Sequence, residues 1–155
     1  MEDQKVADER AREIIAKNVF MTLATCGKDG KPWASPVNYA VDKHYNFYFV
    51  SSKKSQHVKN IMENQSVSFA VFDSRARGDD IDGVQVTAKA RVITGLELLS
   101  ALKVIFTLKA RKPRPKEDFL GIAKKRVVKV IPTTVYKYDR TSEPGEDLRQ
   151  NVSLK

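Results

Sequence analysis

The sequence predicts a mainly β, α+β protein: an antiparallel barrel of six short strands with flanking helices. Three observations point there. Apolar and polar residues alternate with period two from Val19 to Ala24 and, over a longer span, from Val84 to Val92, the mark of a strand with one face on a core. The stretches between such runs carry turn chemistry, most clearly Gly27-Lys28-Asp29-Gly30. A single short helical pattern separates the third strand from the fourth, and neither a βαβ rhythm nor GxGxxG or GxxxxGK[ST] occurs.

Each element follows from its own residues. Val6, Ala7, Ala11, Ile14 and Ile15 fall at helical spacing behind Asp3, which suits an N-cap, so an amphipathic helix runs from Val6 to Lys17. The first strand begins at Val19 and ends at the glycine turn. Lys31 to Val41 restarts as a strand whose Pro32 and Pro36 favour an edge, because proline cannot donate to a ladder. A polar turn over 42–46 leads into Phe47-Tyr48-Phe49-Val50. Ser52 then suits the cap of a helix whose stripe is Val58, Ile61 and Met62, ended by Asn64. Val67 to Phe72 is the fourth strand, 73–83 a polar loop, and Val84 to Val92 a long fifth strand. Leu96 to Lys109 reads as a helix with Leu99, Leu102 and Phe106 along one side. Arg111-Lys112-Pro113-Arg114-Pro115 breaks it, and Phe119 to Lys124 offers a further helical turn. Val127 to Ile131 and Thr134 to Tyr138 form a last strand interrupted near Pro132, and the tail from Thr141 is polar and expected to be mobile.

At 155 residues and 17.5 kDa the chain is long enough for one core and too short for two ordinary domains. With 41% apolar, 8% aromatic and 30% charged residues it is neither disordered nor collagen-like. No apolar run is long enough to span a bilayer, and MEDQKVADER is unlike a signal peptide, so a cytoplasmic location without membrane contact is expected. Cys26 alone can build neither an internal disulfide nor a multi-thiolate metal site, and it reads as a small buried hydrophobe. His44 and His57 are the only histidines and neither has metal-ligand spacing, so no metal site is expected. No GxSxG elbow exists. The net charge is +9, and residues 101–130 hold ten basic and two acidic side chains, or +8 of it. A nucleic-acid surface is the reading this invites, but Phe106 and Phe119 are the only aromatics there, so base stacking is poorly provided for. The plain alternative is a solvated face, or a basic rim drawing anions to a site elsewhere.

The strongest local pattern is Ser51-Ser52-Lys53-Lys54-Ser55-Gln56-His57, where a strand ends and a helix begins. The free amides of a first helical turn, three hydroxyls and two lysines could hold a phosphate. The same residues would equally make a serine-capped surface helix with solvated lysines. Trp33, Tyr39, Tyr45, Tyr48 and Phe49 are mostly packing residues by alternation, with Trp33 and Tyr39 the better candidates for flanking a ligand.

The ordered set "LAT" ending a strand, "GKPWASPV", "NFYFVSS", "KSQHVKNI" and "ENQSVSF", continued by "VQVTAKARV" and "VIPTTVYKYD", resembles the pyridoxamine 5′-phosphate oxidase-like family of FMN-binding split β-barrels, in its general stress protein-like branch. The resemblance implies a Greek-key split barrel over residues 1–140 as a single FMN-binding domain, with 141–155 as the tail. It implies a homodimer with FMN at the interface. On that likeness Ser35, Pro36, Val37, Asn38 and Tyr39 present their backbone to the flavin ring, and Val50 and Ser51 lie beside it. Ser52, Lys53, Lys54, Ser55, Gln56 and His57 fall where the family binds the phosphate, and Gln85 falls near its fifth-strand contact. There are departures. Gln56-His57 replaces an Arg-Lys pair, Ala88 stands for a frequent glycine, and the histidine-bearing C-terminal signature of the true oxidases is missing.

The function implied is an FMN-dependent oxidoreductase acting on a small substrate, with NADH or NADPH as a reductant; the catalytic residues stay unassigned. A flavin brings its own N5 chemistry, which accounts for the lack of an acid–base constellation. The competing readings are a non-catalytic flavin-binding stress or sensor protein, a deazaflavin- or haem-binding barrel with His44 or His57 as axial ligand, and the basic nucleic-acid binder.

Overall fold

The computed structural model describes residues 2–76, 82–108, 124–138 and 149–155. Its elements are α1 (Gln4–Lys17), β1 (Phe20–Cys26), β2 (Pro32–Asn38), β3 (Ala40–Val41), β4 (Phe47–Ser52), α2 (Gln56–Glu63), β5 (Ser66–Phe72), β6 (Gly83–Val92), α3 (Gly95–Leu108), β7 (Lys125–Tyr138) and β8 (Arg149–Asn151). The strands form one antiparallel sheet in the order β2-β1-β5-β6-β7-β4-β3, with β8 on β7. The sheet curls into the expected split barrel. β2 ends one side of the path and β4–β3 the other, so the split lies between them.

Alternation decides what faces inward. Met21 and Leu23 of β1, Phe47 and Phe49 of β4, Val71 of β5 and Val84, Val86, Ala88 and Ala90 of β6 meet in the core, joined by Ala7, Ala11, Ile14 and Ile15 of α1 and Val58 and Ile61 of α2. Asp3 caps α1, accepting from the amides of Lys5 and Val6. The β1–β2 hairpin turns on Gly30, whose φ of +74° is a left-handed conformation open to glycine without strain.

Several expectations change. Two short strands, β3 and β8, add to the six, because Tyr39 interrupts β2–β3 and the chain end returns to the sheet. The tail is therefore not mobile throughout: β8 pairs with β7, Gln150 is buried, and Val152 and Leu154 join the core. β7 runs unbroken through Pro132. The register shifts there, Ala88 facing Pro132 while Thr87 faces Thr134, and the bulged Thr133 bonds Thr87 through its hydroxyl. A bulge supplies the place where a central strand tolerates proline. Ser55, not Ser52, is the N-cap residue of α2, and Met62 is 71% exposed while Asn60 takes its place on the buried face. On α3 the inward residues are Leu98, Ala101, Leu102 and Ile105; Leu99 and Phe106 face out. The basic proline run, the turn expected from Phe119, part of the 73–83 loop and the first part of the tail lie outside the described residues. No helix among the described residues is long and apolar enough to cross a membrane.

Candidate functional site

Where the barrel splits, α2 bridges the two edges. Val58 and Ile61 seat the helix on the core, and buried Asn60 pins it to β1, donating to Thr25 Oγ1 at 3.1 Å while accepting from Gln56 Nε2 at 2.8 Å. That seating puts His57 between Ser35 on β2 and Ser51 on β4. His57 Nδ1 lies 3.1 Å from Ser35 Oγ, and Nε2 lies 2.7 Å from Ser51 Oγ and 3.2 Å from Ser55 Oγ. Trp33 Nε1 donates to Ser35 Oγ at 3.0 Å, and the edge of Phe49 meets the imidazole at 5.8 Å between centroids. A ring of neutral hydroxyls around one imidazole thus closes the seam. Burial pushes the His57 pKa below the ordinary imidazole value. The imidazole is therefore mainly uncharged at neutral pH and does not add to the positive charge of the turn.

The start of α2 is uncapped. The Ser55 hydroxyl donates to the Ser52 carbonyl at 2.7 Å instead of accepting from a first-turn amide. Ser52 Oγ accepts from the Lys54 amide at 3.2 Å. Lys53 and Lys54 are exposed. β4 pairs with the beginning of β7, Ser51 opposite Arg126 and Ser52 opposite Lys125, and the Lys53 amide donates to the Lys124 carbonyl at 2.9 Å. Cross-strand partners share a face, so Arg126 stands on the side of Ser51 and Lys125 on the side of Ser52. Five basic residues, Lys53, Lys54, Lys124, Lys125 and Arg126, thus gather at this turn, while residues 43–62 and 124–138 contain no Asp or Glu.

The residues singled out from the sequence divide into three groups. Ser35, Ser51, Ser52, Lys53, Lys54, Ser55 and His57 meet at the seam. Val37 and Tyr39 belong to the core: Tyr39 packs on Phe47 and donates its hydroxyl to the Ile15 carbonyl at 2.7 Å, so its side chain does not flank a ligand. Pro36, Val50 and Gln85 face outward, and the Asn38 amide donates to the Val19 carbonyl. Gln85 lies in the cross-strand row Pro36, Thr22, Ala70, Gln85, Tyr136, three strand spacings or roughly 14 Å from Pro36 beside the seam. Gln56 is turned to Asn60.

Sequence reasoning missed Lys124, Lys125 and Arg126 as neighbours of the serine turn, and Trp33 as the group that positions Ser35. Only the pairing of β4 with β7 reveals the first, and the density of basic residues was its one signal. Cys26 is half-buried, its thiol toward the Gly27 carbonyl, and no group of three or more His, Cys, Asp or Glu among the described residues is placed to hold a metal ion.

Solved structures share this fold. A haem-binding protein from Mycobacterium smegmatis matches with a TM-score of 0.74 at 21% identity, over 96% of this chain and 58% of that one. HutZ, the haem storage protein from Vibrio cholerae, matches with a TM-score of 0.63 at 15% identity, over 96% of this chain and 99% of that one. ChuZ from Campylobacter jejuni matches with a TM-score of 0.75 at 12% identity, over 96% of this chain and 68% of that one. The chain thus spans less than two thirds of the length of the Mycobacterium smegmatis protein. No curated protein matches. The family model of pyridoxamine 5′-phosphate oxidase covers residues 7–138, and with the split barrel this places the chain in the pyridoxamine 5′-phosphate oxidase family.

Proposed function

We propose that this chain is an FMN-binding oxidoreductase acting on a small substrate, with the flavin phosphate held at the β4–α2 turn. The observation that carries the reading is the uncapped first turn of α2 beside the exposed Lys53 and Lys54. Ser51, Ser52 and Ser55 would donate hydroxyls, the α2 amides would point at the phosphate, and Lys53, Lys54 and Arg126 would balance its charge. Bound FMN would supply hydride and electron chemistry at its N5, leaving the protein to hold and orient it. A second copy of the chain is the natural cover for the outward face of β1, β2 and β5. Thr22, Ala24, Pro36 and Ala70 are small or flat there, and Phe20 and Phe72 are 54% and 47% exposed.

The absorption spectrum of the purified protein, followed by titration with FMN, tests this. Flavin bands or micromolar binding are expected, and binding should weaken about tenfold or more in a Ser55→Ala, His57→Ala variant, since hydrogen bonds to a charged group are lost. Absence of any flavin binding overturns the reading. Reduction by NADH or NADPH, with turnover, separates an enzyme from a flavin-binding sensor. The haem-binding neighbours support a second reading, because haem carboxylates would suit the same basic turn. Against it, both His57 nitrogens already face hydroxyls and His44 sits on the exposed β3–β4 turn. A haem Soret band in place of flavin bands would decide for haem.

A further inference from the structure

The hydrogen bonds at the seam can run in only one direction. Ser55 has a single hydroxyl proton, and it goes to the Ser52 carbonyl at 2.7 Å. In the 3.1 Å contact between Ser51 and Ser55, therefore, Ser51 donates and Ser55 accepts. With that proton spent, Ser51 accepts from His57 Nε2 at 2.7 Å, as Ser55 does at 3.2 Å, so Nε2 carries the ring hydrogen. A neutral imidazole has only one, which makes Nδ1 the acceptor for the Ser35 hydroxyl at 3.1 Å. Ser35 in turn accepts from Trp33 Nε1 at 3.0 Å, an indole nitrogen being a donor only. The opposite tautomer would leave both contacts of the Ser55 oxygen, with Ser51 and with Nε2, without a hydrogen between them. It would also leave the Ser35 proton with no acceptor among these groups.

We propose that Trp33 and Ser35 are positioning residues that hold His57 as its Nε2–H tautomer, making Ser55 the terminal donor of a directed chain that turns from the Ser52 carbonyl to an anion oxygen at the β4–α2 turn. The anion step rests on the flavin reading, with the FMN phosphate as the anion. Turning costs little within the protein, since the Ser52 carbonyl keeps the Ser55 amide at 3.1 Å. A hydroxyl bond to a charged oxygen is also stronger than the carbonyl bond it replaces, and bonds aligned head to tail polarise one another. The chain thus links the exposed Trp33 indole, through buried Ser35, to the start of α2 on the other side of the split.

Heteronuclear NMR of the nitrogen-labelled full chain, at neutral pH where the imidazole is mainly uncharged, tests this. In the free protein His57 should show a protonated Nε2 and an unprotonated Nδ1; the reverse assignment, or an even mixture, overturns the proposal. Titration with inorganic phosphate, and separately with FMN, should move the indole N–H signal of Trp33, the chain's only tryptophan, and Ser35→Ala should abolish that movement by cutting the chain. A signal that moves as far in Ser35→Ala reports direct contact and overturns the chain. Ser35→Ala should also give mixed tautomers and weaken phosphate and FMN binding about threefold to tenfold, and Ser35→Thr, which keeps the hydroxyl, should restore both. Unchanged affinity in Ser35→Ala overturns the positioning role of Ser35. Trp33→Phe, which removes only the donor, should admit some Nδ1–H form, and its absence takes Trp33 out of the chain. Should Ser35→Ala fail to fold, the wild-type tautomer still decides. A protein of the Nε2–H form that binds phosphate but no FMN breaks the flavin reading alone, and one of the Nδ1–H form that binds FMN breaks this proposal alone. Binding of neither ligand overturns both.

Discussion

At the seam, the polar groups that meet between strands are neutral: Ser35, Ser51 and Ser55 around an uncharged His57, with the cations left outside the ring. At the far end of β7 the opposite choice is made. Lys137, with a side chain only 4% exposed, lies 2.9 Å from Glu2 Oε2 and 4.0 Å from Asp82 Oδ1, and Arg10 Nε donates to Asp82 Oδ2 at 2.7 Å. There the charges are spent on one another and on the chain ends, and Gln150 of β8 donates to the Glu2 carbonyl. The packing is imperfect: Glu2 Oε2, Asp82 Oδ1 and Gln150 Oε1 are buried without a hydrogen bond, although Glu2 Oε2 is ion-paired with Lys137. Charges neutralised within the chain hold the fold and offer nothing to a ligand. At the seam the exposed Lys53 and Lys54 stand beside an uncapped helix start instead, and that contrast is the ground on which the proposed site is placed there.

Removing residues 149–155 should break the charged end most severely. Val152 and Leu154 leave the core and β8 leaves β7, costing about 4 kcal/mol from the two apolar side chains and their neighbours, as read from urea denaturation. Lys137→Met strands Glu2 without its cation, leaves Asp82 to Arg10 alone and should cost about 3 kcal/mol, whereas its FMN affinity should match that of the wild type. A Lys137→Met protein of unchanged stability would show that the ion pairs there are incidental.

The neutral end is sharpened by pH. The folded protein holds His57 below its unfolded pKa, so between the two values the unfolded chain binds more protons. The stability His57 contributes is full above pH 6.5 and is lost as pH falls below it; denaturation midpoints of a His57→Gln variant should lack that slope. NMR titration should place the free imidazole below 6.5 and move it upward when inorganic phosphate or FMN binds. No upward movement would take His57 out of the anion site. The smallest effect is expected from Tyr39→Phe, which loses the hydroxyl bond to the Ile15 carbonyl and should cost about 1 kcal/mol with FMN binding intact. Weakened FMN binding would return Tyr39 to the ligand.

Much of this was legible in the residues themselves. Period-two alternation located β1, β5 and β6 to within a residue, because each has one face on the core. Asp3 marked α1, and the glycine turn closed the first hairpin. The serine and lysine run at the end of β4 suggested the anion site proposed above, since a helix start, hydroxyls and cations are adjacent in the chain. What misled was local too. Ser52 looks like a cap as much as Ser55 does, Pro132 looks like a break when no bulge partner is in view, and a polar tail hides that Val152 and Leu154 are apolar at alternate positions.

The sequence by itself determined the six main strands, that the barrel is antiparallel, and that +8 of the net charge of +9 lies in residues 101–130. Only the tertiary structure decided where Lys125 and Arg126, a part of that charge, stand. The antiparallel pairing of β4 with β7 sets Ser51 and Ser52 against Arg126 and Lys125, and the curl of the sheet brings Ser35 to His57. Neither is written in periodicity, because periodicity fixes which way a side chain faces along its own strand, while the partner strand and its register are chosen by closing the core.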